Sequence, residues 1–162
     1  MKPTISLAAA LSAIALTAAA CGGATSTPKA TTPTTAPISA AAKAREGATF
    51  LKLVAPYNAE RAKLDPDKAN PTTTAGLQAF LAPLVTASNT LAAALQHAGF
   101  TGSAATPALT MAISVEAVVA DIQSVTISNW SSEKAVITHD EKTVNGEDNV
   151  LRATLGLPTA TS

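Results

Sequence analysis

One cysteine, one tryptophan, one tyrosine, three phenylalanines and two histidines are all that 162 residues contain of those types. A lone cysteine can close no internal disulfide, which excludes a stapled secreted scaffold. Eleven basic residues balance eleven acidic ones, so the chain carries no electrostatic footprint for a nucleic-acid backbone and no nucleic-acid partner is expected. Catalytic signatures are thin as well. There is no Gly-x-Ser-x-Gly elbow, and two histidines offer few bases to activate a nucleophile. Nothing in the pattern implies a cofactor, and the reading is non-catalytic.

Alanine, by contrast, stands at 37 positions. It is the best helix former, and the strand-favouring aromatics are only 3 % of the chain, so the expected fold class is all-α. The organisation read from the chain is a signal peptide at 1–20, a lipidated N-terminus and disordered linker at 21–38, a helical bundle at 39–157 and a disordered tail at 158–162.

Lys2 followed by the uncharged apolar run from Ile5 to Ala20 has the form of an export signal. Its sixteen residues are fewer than the roughly 20 that span a bilayer as a helix. Ala18-Ala19-Ala20 stands directly before Cys21 and Gly22-Gly23. This stretch resembles the lipobox of bacterial lipoproteins, with Ala18 where Leu is usual. The resemblance implies that Cys21 bears a diacylglycerol through its sulfur and becomes the first residue of the mature chain. It also implies attachment to the outer face of the bacterial cytoplasmic membrane. Simple cleavage after Ala18-x-Ala20, giving a secreted protein, is the alternative.

Residues 22–37 hold six Thr, three Pro and one Ser with no large apolar side chain. Such a run reads as a tether, about 50 Å long at ~3.1 Å per residue. Thr25, Thr27, Thr31, Thr32, Thr34 and Thr35 are candidate O-glycosylation positions.

Four helices are predicted beyond it. The first, Ser39 to Lys63, places Phe50, Leu53, Val54, Tyr57 and Leu64 on one face, with Pro56 expected to bend or break it. The second, Thr74 to Ala98, carries Leu77, Phe80, Leu81, Leu84, Ser88, Leu91 and Leu95, and Gly99 ends it. The third is expected to open with Thr106 as N-cap and Pro107 in its first position. It then presents Met111, Val115, Val118, Val119, Ile122 and Val125, a strand over Ile113 to Ile127 being the rival. The fourth is predicted from a Ser131 or Ser132 cap to Leu155, before Gly156 and Pro158, with Asn145-Gly146 as a place where it could divide. Trp130 is expected to close the end of the core. No stretch after the signal reads as transmembrane.

The densest polar cluster is His139-Asp140-Glu141, followed by Glu147 and Asp148. Helical geometry places Asp140, Glu141 and Asp148 beside Ile137, Val144 and Leu151, as candidates for metal ligands or for raised pKa values. A metal-dependent or hydrolytic enzyme built on His139, Asp140 and Glu141 is therefore the alternative function. Di-metal bundles, however, place a Glu three residues before each His. Here Val136 precedes His139 and Ala94 precedes His97, so a solvated helix face is preferred. Glu116 and Asp121, the only charges between Ala69 and Trp130, read as the polar side of the third helix.

Val54-Ala55-Pro56-Tyr57-Asn58 and Leu151-Arg152-Ala153-Thr154-Leu155-Gly156-Leu157-Pro158 resemble motifs of uncharacterised actinobacterial exported helical proteins, a likeness that implies location and an all-α fold. The functional expectation is a lipid-anchored extracytoplasmic protein that binds or scaffolds in the bacterial cell envelope. Its partners would be the membrane, through the N-terminal lipid, and an envelope protein or polysaccharide met by the charge-free second helix. A small-molecule carrier with an apolar pocket between helices is a further alternative.

Overall fold

Ser39 starts the first helix as expected: its hydroxyl accepts from the Ala42 N–H at 3.2 Å, filling one of the donors a helix N-terminus leaves open. The structure is a computed structural model that describes residues 37–64 and 71–160. The signal segment, Cys21, the threonines up to Thr35, residues 65–70 and residues 161–162 lie outside the described residues.

Helix α1 runs over Ala40–Lys63 without interruption. Pro56 lies inside it on the exposed side, so the carbonyl left without its N–H partner faces water and the helix continues. Phe50, Val54 and Tyr57 are buried and Leu53 is half-buried, the stripe read from the spacing. Glu46 and Gly47 are buried with them.

Helix α2, Thr74–His97, is capped by Thr73, whose hydroxyl accepts from the Gly76 N–H at 3.1 Å. Leu77, Leu81, Leu84, Ser88, Leu91 and Leu95 are buried. Gly99, at φ +69°, takes the left-handed conformation that stops the helix. Pro83 also lies inside this helix, exposed like Pro56.

The start of α3, Ala105–Ser124, departs from the expectation. A 3-10 turn at Gly102–Ala104 leads directly into the helix, and Ala104 stands at its cap with no side-chain hydrogen bond. Thr106 is therefore already inside the first turn, and Pro107 sits among the positions whose N–H has no partner in any helix, where proline costs little. Met111, Val115, Val118, Val119, Ile122 and Val125 are buried as expected. The β-branched residues are helical, because the stripe they form is completed only at helical spacing.

Helix α4, Trp130–Leu155, likewise begins before its expected serine caps. The Asn129 side chain does not cap it. Its Oδ1 accepts from the Thr126 N–H at 2.6 Å and from the Thr126 hydroxyl at 2.9 Å, closing the preceding turn. Ser132 donates its hydroxyl back to the Asn129 carbonyl at 2.8 Å. The helix passes through Asn145-Gly146 undivided. Gly156, at φ +73°, ends it in a Schellman arrangement, with Leu157 N–H donating to the Arg152 carbonyl at 2.8 Å. The segment after Gly156, expected to be disordered from 158, is held as far as Ala160: the Ala160 N–H donates to Asn149 Oδ1 at 2.8 Å.

The four helices form an all-α up-and-down bundle in which each packs on its neighbours in sequence, and α4 returns to meet α1. The seams are unequal. α2 packs most extensively on α3, where the buried Ala92, Ala108 and Ala112 let the backbones approach closely, and α1 meets α4 most sparsely. By length and mean hydropathy, 1.2 and 1.4, α2 and the stretch Gly102–Ser124 are apolar enough to cross a membrane. Here they form the bundle's most closely packed pair. Their hydropathy reflects buried leucine and valine on one side and, on the other, Ala, Thr and Gln with Glu116 and Asp121 of α3 as the only charges.

Candidate functional site

The consecutive trio His139, Asp140 and Glu141 does not converge. Successive helical residues point about 100° apart, and each of the three has different surroundings. His139 is exposed on the outer side of α4. Asp140 shares a hydrogen bond with Asp121 of α3, a contact that requires a proton. That hydrogen bond, partial burial, the charge of Asp140 and then that of Glu133 push Asp121 up to about 6. Glu141 turns the other way, toward α1, where burial raises its pKa against the opposing pull of Arg61.

Asp148, the other carboxylate expected beside the core, is indeed buried, but it is committed to Arg152. Nε of Arg152 lies 2.9 Å from both of its oxygens. Glu147 is half-buried with Oε2 unpartnered. Glu116 accepts from the Gln96 amide at 2.6 Å on the surface between α2 and α3. Among the described residues no group of three or more His, Cys, Asp and Glu is placed to hold a metal ion.

The feature that stands out lies along the sparse α1/α4 seam. Because the two helices do not close on each other there, a groove of about 890 Å³ opens down to the inner side of α2. It follows α4 from Trp130 to Asn149, roughly 28 Å at ~1.5 Å per residue. Its character changes along that length. Toward Trp130 the floor is apolar, with Phe80, Leu81, Leu84 and Ile137, and Lys134 and Thr138 of α4 stand among the walls. Toward Asn149 they turn polar, with Arg61 of α1 facing Glu141 and Asn145 of α4.

Arg61 is the one strongly basic group of α1's last turns that reaches across this seam. Its Nη1 donates to Asn145 Oδ1, and its Nε stands 3.8 Å from Glu141 Oε2, an ion pair too long for a hydrogen bond. The guanidinium thus has donors in hand. Tyr57, one turn before it, is 2 % exposed, and its hydroxyl has no hydrogen-bond partner among the described residues. Burial first, then the charge of Glu141, pushes its pKa up to about 12, while Arg61 pulls the other way. Burying a hydroxyl without a partner costs about 1–3 kcal/mol. The cost is borne in the core, since Tyr57 is not among the residues that line the groove.

Trp130, half-buried, packs against the end of the core and also lines the groove. Arg61 and Asn145 were not marked as a site by sequence spacing, since they come from two helices separated by most of the domain. The only local hint was Asn145-Gly146, an uncharged, flexible pair interrupting a charged helix.

A second surface is notable for what it lacks. The outer faces of α2 and α3 carry only Glu116 and Asp121 as carboxylates, and they expose Leu109 at 48 % and Ile113 at 65 %. Comparisons with protein-family models, with curated proteins and with solved structures find no match to this chain.

Proposed function

We propose that the protein is a lipid-anchored, extracytoplasmic binding protein of the bacterial cell envelope, non-catalytic, whose ligand occupies the groove between α1, α2 and α4. The groove carries the reading. Its volume of about 890 Å³ lies within the ~300–1,000 Å³ typical of small-molecule sites, and an apolar floor with a few convergent polar groups is the usual character of such sites. The dispersal of His139, Asp140 and Glu141 to three environments supports binding over catalysis, since acid, base and nucleophile must meet at one point to act together.

Anchoring rests on Cys21, placed directly after Ala18-Ala19-Ala20 and ahead of a Thr/Pro tether. Two acyl chains hold a protein stably at a membrane, where one does not. The tether would carry the bundle clear of the surface. A second reading, scaffolding of an envelope protein or polysaccharide, is favoured by the charge-free second helix and by Leu109 and Ile113 exposed on α3 beside it.

The test has two readouts on protein recovered from its native membrane fraction. Intact mass is expected to show a chain that starts at Cys21 and carries diacylglycerol, with a Cys21→Ala variant lost to the medium. Native mass spectrometry is expected to show a small molecule bound one to one. An unmodified chain in the medium would sink the anchoring, and a ligand-free domain from the native source would sink the carrier reading in favour of scaffolding.

A further inference from the structure

We infer that the groove takes a single-chain amphiphile with an anionic oxyacid head, the tail lying toward Trp130 and the head meeting Arg61. The inference rests on the reading of the groove as the binding site and specifies its ligand class. Two observations carry it. The groove is long and has an apolar part, where Phe80, Leu84, Trp130 and Ile137 line it with Lys134 and Thr138 of α4 beside them, and a polar part, where α1 and α4 present Arg61, Glu141 and Asn145. A compact polar ligand would leave the apolar half unmatched, and a plain hydrocarbon would strand the polar half.

The polar end also has spare donors. Of the five N–H groups of a guanidinium, Arg61 commits one to Asn145, and Glu141 stands too far off at 3.8 Å to take another. A carboxylate or phosphate accepts two N–H groups from an arginine side by side. Glu141 is the competitor: its own carboxylate is the group that an incoming anion displaces from Arg61. Burial already raises the pKa of Glu141, so the ionised acid is held weakly there.

The sole tryptophan of the chain lines the groove, so its emission reports occupancy. The whole mature chain carrying Cys21→Ala, recovered from the medium without attached lipid, is titrated with dodecanoate and with dodecanol below their micelle-forming concentrations. Dodecanoate is expected to shift Trp130 emission saturably and to bind at least tenfold more tightly than dodecanol. Arg61→Gln is expected to weaken dodecanoate at least tenfold and leave dodecanol unchanged, while Glu141→Gln tightens dodecanoate. Unchanged circular dichroism and urea midpoints show that the variants fold.

Equal binding of acid and alcohol, or an Arg61→Gln variant that binds dodecanoate normally, overturns the anionic head and leaves the groove standing as a binding site. Saturable binding of neither probe overturns the amphiphile altogether. Dodecyl phosphate bound in place of dodecanoate, with the same Arg61 dependence, supports the proposal and identifies phosphate as the head. The reading of the protein as a carrier fails separately, by the ligand-free native mass.

Discussion

Arg152 and Asp148, one turn apart on α4, form a buried two-contact ion pair, and the same guanidinium stands 5.5 Å over the ring of Phe50 on α1. Its Nη1 also donates to the Pro158 carbonyl at 3.4 Å. One side chain thus satisfies a buried carboxylate, rests on the α1 core and holds the segment after the helix. This contact pins the C-terminal end of α4 to the N-terminal half of α1, whereas the seam is open nearer the other end of α4.

Removing one partner should be far worse than removing both. Arg152→Ala or Asp148→Ala strands an unpaired charge in the core and is expected to cost about 3–5 kcal/mol. The double replacement Arg152→Met with Asp148→Leu is expected to lie within ~1–2 kcal/mol of the parent, since a buried pair contributes little net stability over apolar residues of similar size. Urea denaturation of the three variants checks this. A single variant as stable as the parent would show that the pair is solvated.

Asp121 and Asp140 set a pH dependence of defined sign. Asp121 titrates near 6 in the folded chain against 3.8 for a free carboxyl, so between those values the folded state holds more protons than the unfolded one. Stability therefore falls as pH rises through this window and is recovered on acidification. The urea midpoint is expected to rise between pH 7 and pH 5. Asp121→Asn is expected to raise the midpoint at pH 7 and to flatten the slope, leaving the smaller slope that Glu141 contributes with the same sign. A midpoint that falls steadily from pH 7 to 5 in the parent would refute the carboxyl pairing.

Two glycines of α4 should respond in opposite directions. A Cβ at Gly146 meets nothing within 4 Å, and the residue lies inside the helix. Gly146→Ala is expected to stabilise by about 0.5–1 kcal/mol through helix propensity alone. Gly156 also has open space, but its φ is +73°, and Gly156→Ala is expected to cost about 1–2 kcal/mol for forcing an L residue into the left-handed region. Thermal melts of both variants measure the difference. Gly146→Ala melting below the parent would indicate that the helix opens at that point.

Tyr57→Phe separates stability from binding. With no partner for the hydroxyl in the ligand-free protein, its removal is expected to leave stability unchanged or raise it by about 1 kcal/mol. The same variant is expected to bind dodecanoate as the parent does, since Tyr57 is not among the residues that line the groove. A loss of stability, measured by urea denaturation without ligand, would show that the hydroxyl is already satisfied in the folded chain.

Much of the architecture could be read from single residues. Leu77, Leu81, Leu84, Leu91 and Leu95 recur at three, four and seven, and all five are buried. Gly99 and Gly156 mark helix ends where cap chemistry placed them, and the first helix begins at Ser39, whose capping role the structure adds. The errors were local contests between two adequate options. Thr106 lost its cap role to a 3-10 turn, and Ser131 and Ser132 lost theirs because Asn129 closes the turn before α4. The Asp148–Arg152 spacing of four was visible as a helical pair, though burial is what gives it weight.

The site was much less legible. Asp140 and Glu141 looked like partners because helical spacing puts both on the face of Ile137, Val144 and Leu151, yet they stand about 100° apart on that face and meet different helices. Asp140 finds Asp121, and Glu141 finds Arg61.

Sequence alone determined that the chain is helical, where its helices lie within a few residues, and which face of each is apolar. Those properties depend on propensity and on spacing within one turn, and both are local. Only the tertiary structure decided that α1 and α4 leave their seam open, that Arg61 faces Glu141 across it, and that Arg152 carries Asp148 into the core. These depend on which faces meet and how closely backbones approach. The small alanines draw α2 onto α3, and the same bundle leaves α1 and α4 apart.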